Sequence, residues 1–182
     1  MKTLSKLTKK EEKSLNLSGK FDTLFIHDIE NTIGYKMPDH KEESYFTNLL
    51  EDLDEELGVQ DNDLVIIAGN KHLLDKANEL YYQKTPCEEI LLPAGGADGA
   101  DLKLLASIQR LISKQKIQKF KKVVIVSGDH IFSNWVRSLK RFGIQIETIA
   151  TRKNTCREFR ISDHHTYLKN FFQEEELSGS YV

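Results

Sequence analysis

Short apolar runs that stop abruptly govern what this chain can become. Residues 24–26 (LFI), 64–68 (LVIIA), 90–92 (ILL) and 123–126 (VVIV) are each too short for a helix, and each is followed by a break. Such runs suit strands buried on both faces of a parallel sheet. They predict strands within 21–28, at 63–68, at 89–92 and at 123–126. Between and after them the apolar spacing turns helical. Phe46, Leu49, Leu50, Leu53 and Leu57 form one stripe, closed by Gly58. Leu73, Leu74, Ala77, Leu80 and Tyr81 form a second, and Leu102, Leu105, Ile108, Leu111 and Ile112 a third. Phe132, Trp135, Val136 and Leu139 form a fourth, closed by Gly143. A fifth strand is expected at 144–149. A last helix, capped by Ser162 or Asp163 and carrying Tyr167, Leu168, Phe171 and Phe172, is expected to follow. Strands alternating with helices predict a three-layer α/β/α sandwich around a central, mainly parallel, five-stranded sheet. A sheet whose growth reverses beside the first strand puts strands one and four next to each other.

The chain has 182 residues, enough for one domain with a real core. That domain is expected at 21–173, between a basic arm at 1–20 and an acidic tail at 174–182. The arm holds six lysines against Glu11 and Glu12, and reads first as a solvated, partly helical terminus. Residues 39–63 hold ten acids against one lysine. Because the apolar residues there follow helical spacing, the acids are expected on the wet face. Cys87 and Cys156 are too few and too far apart for a disulfide framework or a zinc site. No apolar run approaches the roughly 20 residues that cross a bilayer. A cytoplasmic setting is the expectation, with no membrane partner.

Carboxylates stand where ligands bind in such sheets, just past the carboxyl ends of strands. Asp28 ends the first apolar run, with Glu30 and Asn31 close behind. Asp129 ends the fourth, after Ser127 and Gly128. Asp98 and Asp101 sit at the start of the third helix, three residues apart; Asp101 is the functional candidate and Asp98 the better cap. Carboxylates forced together take up a proton or bind a cation. Oxygen-only ligands suit magnesium or manganese, and such a site can activate water against a phosphodiester. Asn31 is expected to bond a carboxylate or the substrate, and Ser127 to position a ligand or phosphate.

The segments HDIEN, GADGADLKLL and VVIVSGDHIF, in this order and spacing, resemble the NYN branch of the PIN-like nucleases. In that family the first strand ends in an Asp followed shortly by an Asn, here Asp28 and Asn31. A central Gly-x-Asp element opens a helix, matched by Asp101, and the fourth strand ends in Ser-Gly-Asp, here Ser127, Gly128 and Asp129. The resemblance spans about residues 21–172. It implies a PIN-like fold and magnesium- or manganese-dependent cleavage of RNA, with Asp28, Asp101 and Asp129 as metal ligands. One departure counts against a two-metal site: the family carries a second Asp two residues past the last, and this chain has Ile131.

Cations near the carboxylates suit a phosphate backbone. Lys71 follows the second strand; Arg152, Lys153, Arg157 and Arg160 follow the fifth. These five are the candidate substrate-binding residues. The lysines from 114 to 122 precede the fourth strand and belong to the opposite edge, as solubilising charge or a secondary contact. Two other functions fit the residues. Asp28, Glu30 and Thr32 are similar to the Asp-x-Asp-x-Thr start of haloacid dehalogenase phosphatases, with Asp28 as nucleophile. A non-catalytic module that binds RNA or protein on a PIN-like fold is the other. Whether the chain forms a homodimer is left open by the sequence.

Overall fold

The computed structural model describes residues 7–33, 43–150 and 157–168. Six strands form one sheet: β1 (Thr23–Asp28), β2 (Leu64–Asn70), β3 (Glu88–Ala94), β4 (Lys122–Val126), β5 (Gln145–Ala150) and β6 (His164–Tyr167). Their order is β3-β2-β1-β4-β5-β6, and every pair is parallel. Growth of the sheet reverses between β1 and β4, the switch point where α/β sheets open a crevice. The expected neighbours, strands one and four, are paired from Thr23–Lys122 to His27–Val126.

Side chains that alternate along the strands divide the core in two. Leu24 and Ile26 of β1, Leu64 and Ile66 of β2, and Val123 and Ile125 of β4 point to one face. There they meet α5 (Gly99–Ser113) and α6 (Ser133–Lys140). Phe25, Val65, Ile67, Val124 and Val126 point to the other face. They meet α2 (Ile29–Ile33), α3 (Glu43–Leu57) and α4 (Lys71–Leu80). The three-layer sandwich is thus present, with six strands rather than five. Parity fixes the site as well. Asp28 shares the face of Leu24 and Ile26, toward α5, while His27 points toward α2.

Three local expectations change. Gly69 and Asn70 do not end β2 but belong to it, paired with Pro93 and Ala94. The Asn70 side chain then accepts from the His72 N–H and caps α4. The predicted last helix is β6, which among the described residues pairs with β5 alone. An edge strand buries little, so HHTY carries no apolar run to announce it; its anchors are Phe159 and Leu168, both in the core. The predicted helical residues Phe171 and Phe172 lie outside the described residues. Third, the arm is packed from its first helix on. Thr8 and Glu11 form a reciprocal capping box at α1 (Lys9–Ser14), and Leu15 and Leu17 enter the core on the α5 face. Glu11 bonds Lys103 of α5 at 2.6 Å, both side chains only 10% exposed, and Glu12 faces Arg110.

Away from the carboxylate edge, two further acids are half-buried where α3, α4 and β3 meet. Burial pushes the Asp54 carboxyl up to about 6, against the opposing hydrogen bond from the Tyr81 hydroxyl. Burial likewise pushes Glu89 up to about 7, although the Thr85 hydroxyl donates to it. A raised carboxyl favours the folded state below its unfolded pKa and loses that contribution as pH rises through its folded value. Asp54→Asn, which can still accept from Tyr81, is therefore expected to stabilise the protein at pH 8 by on the order of 1–2 kcal/mol. At pH 4 it should change little. Urea titrations at the two pH values check this, and equal effects at both would refute it.

Candidate active site

The chain leaves β1 at Asp28 and turns at once into α2. This close approach needs Gly69 on the neighbouring strand: a Cβ there would lie 2.4 Å from the Ile29 Cγ2. Two hydrogen bonds then fix the turn. The Asn31 N–H donates to the Asp28 Oδ1 at 3.2 Å, and the Asn31 Oδ1 accepts from the Gly128 N–H at 2.8 Å. Asn31 thereby ties the end of β1 to the end of β4. Ser127 completes the tie: its fully buried hydroxyl lies 3.5 Å from the Asp28 Oδ2 and accepts from the Asp129 N–H at 3.2 Å.

Asp28 is 5% exposed and Asp101, in the first turn of α5, 8% exposed. Their carboxyl groups lie within hydrogen-bonding reach of each other. Burial raises the proton affinity of both. The charges of Asp28 and Asp129, with Asp98 beyond them, raise that of Asp101 further. The Glu30 charge adds to the effect on Asp28. The two carboxyl groups therefore titrate as a pair, each holding a proton more tightly than an exposed carboxyl does. The Asp101 Oδ1 is buried without a hydrogen-bond partner.

Asp129 stands half-exposed at the end of β4. Its Oδ1 accepts from the Ile131 N–H at 2.9 Å and lies 3.0 Å from the His130 Nδ1. Among the described residues no group of three or more His, Cys, Asp or Glu forms a ready metal cage. The set is open, but its chemistry fits a hard divalent cation. The donors are all oxygens, one carries an unused buried lone pair, and the raised proton affinity of the pair is the mark of negative charge that a cation would neutralise. Asp28 and Asp101 would hold the ion, with Asp129 beside them.

The sequence-predicted residues fare unevenly. Asp28, Asp101, Asp129, Asn31 and Ser127 converge. Asp98 occupies the position before α5 in a left-handed backbone, φ 59°, and its side chain makes no capping bond to that helix. Lys71 opens α4 at the same edge of the sheet and pairs with Asp75. Arg152 and Lys153, and the side chain of Arg157, lie outside the described residues. Arg160 is not brought to the carboxylates. It is exposed in the 3-10 turn Arg157–Ile161, which packs on α6 and feeds the start of β6, and its charge is felt by His165.

Sequence reasoning missed one supporting residue. His27 is fully buried, and burial drives its pKa down to about 3, so the ring is neutral. The His27 Nε2 and the Thr32 hydroxyl share a hydrogen bond at 2.8 Å, and the hydroxyl also lies 3.1 Å from the Ile29 carbonyl. That bond braces α2 from below. Its only signal was a polar residue inside an apolar run. Glu30, two residues past Asp28, is also held. Its carboxylate accepts from the Asn70 N–H, while burial raises its pKa.

Comparison with known proteins bears on the family and the fold. The NYN domain model matches residues 72–169, more than half of the chain, a span that holds Asp101, Ser127 and Asp129 and begins after Asp28. Among solved structures, a protein of unknown function from Vibrio parahaemolyticus shares the fold. It is 16% identical with a TM-score of 0.53, over 86% of this chain and 98% of that one. The Escherichia coli ADP-heptose lipopolysaccharide heptosyltransferase II reaches a TM-score of only 0.38 at 12% identity, over 95% of this chain and 51% of that one, too slight a likeness to argue from. No curated protein matches. An all-parallel sandwich with carboxylates at its switch point, and a family match over most of its second half, place the chain in the NYN domain family, whose fold is PIN-like.

Proposed function

We propose that this chain is a magnesium- or manganese-dependent ribonuclease that hydrolyses phosphodiester bonds at the β1–β4 switch point. The observation that carries the reading is the meeting of Asp28 and Asp101, from two distant segments, with Asp129 beside them. When bound, the ion supplies positive charge to the attacked phosphate and lowers the pKa of the attacking water. Asp28 and Asp101 hold that ion, and Asp129 adds a third carboxylate from the solvent side. Asn31 and Ser127 keep Asp28 in place through the end of β4 and do not themselves need to touch RNA. Lys71 steadies the backbone of the substrate from the start of α4. Arg152, Lys153 and Arg157 are proposed for the same task from the loop after β5; Arg160 sits farther along it.

Two other readings are weaker. A phosphatase nucleophile needs an open approach, and Asp28 is buried with the Asn31 N–H and the Ser127 hydroxyl against its oxygens. A non-catalytic binding module draws support from Ile131, whose side chain packs against the core where the family carries an acid. Cleavage of a labelled RNA with added manganese separates these readings. Asp129→Asn is expected to lower the rate at least about a hundredfold while leaving the melting temperature within a few degrees. Full activity in that variant would remove Asp129 from the site. Binding without turnover in the wild type would decide for the module.

A further inference from the structure

The edge of the sheet opposite the carboxylates holds a second cationic feature. Five lysines lie between residues 114 and 122 with no acid among them. Two are spent in ion pairs, Lys121 with Asp22 and Lys122 with Glu147. Lys116 and Lys119 are not. Both ammonium groups converge on one backbone oxygen, the Leu17 carbonyl, at 3.4 and 3.2 Å. Among the described residues neither has a carboxylate partner. Each ammonium has three donors, and one shared carbonyl leaves most of them unused. Two positive charges held this close call for a multivalent anion, and a phosphate, with several acceptor oxygens, can touch both.

Helix α5 joins this point to the carboxylates. Its first turn carries Asp101, and Lys114 follows its last residue, a span of roughly 20 Å. Beside it lies α1, with Lys9, Lys10 and Lys13 exposed. The two acids of α1 are neutralised by Lys103 and Arg110. Between Asp101 and Lys114 the α1–α5 side therefore keeps a net positive charge from Lys9, Lys10 and Lys13, whereas α3 on the other side of the sheet is acidic. A stacked strand advances about 3.4 Å per nucleotide, so roughly six nucleotides cover the distance.

We propose that Lys116 and Lys119 form a distal phosphate-binding site for an RNA strand that runs from the carboxylates along α1 and α5. The inference rests on the ribonuclease reading for its choice of polyanion. It makes affinity depend on substrate length, because a strand shorter than the span cannot touch both ends.

The test measures binding in EDTA, where cleavage is suppressed, of fluorescein-labelled single-stranded RNAs of 3 and 24 nucleotides, the shorter reaching only about 10 Å. The proteins are wild type, Lys116→Glu/Lys119→Glu and Lys116→Gln/Lys119→Gln, with thermal melts to confirm the fold. The charge-reversal variant is expected to bind the 24-mer about tenfold more weakly, with the 3-mer within twofold. Its log–log salt slope for the 24-mer should flatten by about 1.4, two phosphates at about 0.7 each. The glutamine variant should flatten the slope by the same amount with a smaller loss of affinity. Unchanged affinity and slope for the 24-mer, or equal losses on both lengths, would overturn the site. Lysine-dependent binding by a wild type that never cleaves RNA with manganese would overturn the nuclease reading and leave the site standing.

Discussion

Asp101→Asn is expected to abolish RNA cleavage and, in the same molecule, to raise the melting temperature of the metal-free protein at pH 8. The loss of activity, on the order of a thousandfold, follows from removing one of the two carboxylates that would hold the ion. The gain in stability follows from the charges. Burial and the facing Asp28 and Asp129 carboxylates raise the proton affinity of Asp101. Its contribution is complete below the ordinary carboxyl pKa and is lost as pH rises through the folded value. At pH 8 the wild type bears the whole repulsion; the amide bears none and can still donate to Asp28. A gain of roughly 1–2 kcal/mol, a few degrees in melting temperature, is expected at pH 8 and none at pH 4. Scanning calorimetry at both pH values, beside a cleavage assay, reads both effects. If the variant loses activity and stability together, Asp101 is a structural residue.

Glu11→Ala is expected to cost about 3 kcal/mol, far more than a substitution near a chain terminus usually does. The reason is Lys103, whose ammonium is nearly buried and bonds both Glu11 oxygens at 2.6 and 2.7 Å. Removing one partner leaves the other charge out of water and uncompensated. The capping box with Thr8 is lost as well. Replacing both partners with apolar residues, Glu11→Leu with Lys103→Met, should recover most of the loss, since a buried pair gains little over good packing. The pH dependence has its own sign. Burial pushes the Glu11 pKa up, but the bonds from Lys103 and Thr8 outweigh it, and the net value is lowered. The pair's contribution is therefore present above the ordinary Glu pKa and fades as pH falls through the lowered one. Urea titration followed by the fluorescence of Trp135, the single tryptophan, measures all three proteins. A cost below about 1 kcal/mol for Glu11→Ala would show that α1 is not anchored by this pair.

The layers of this fold were legible because its central strands are buried on both faces. LFI, LVIIA and VVIV have no reading as exposed structure, and their ends marked Asp28 and Asp129. The acid on α5 was legible from the apolar period that begins right after Asp101. What the residues did not announce were features set by tertiary packing. β6 is polar because only one neighbour covers it. α2 is too short to show a period, yet it aims Asn31 at Gly128. The carbonyl shared by Lys116 and Lys119 joins segments about a hundred positions apart, which no local pattern encodes. Arg160 was grouped with the carboxylates by counting residues past a strand end, and a crossover can return over the sheet within that count.

The order β3-β2-β1-β4 carries a consequence for the birth of the protein. Asp28 and its Ser127 neighbour are 99 residues apart in the chain, and they meet only when β4 slots in beside β1. Three strands are synthesised before that partner exists. Contacts of such long range form late, since a large loop must close before anything is gained. A ribosome that has delivered only β1 to β3 therefore holds a nascent chain with its first carboxylate in place and no second strand end to face it. The carboxylate cluster is completed only once β4 has been made and has paired with β1.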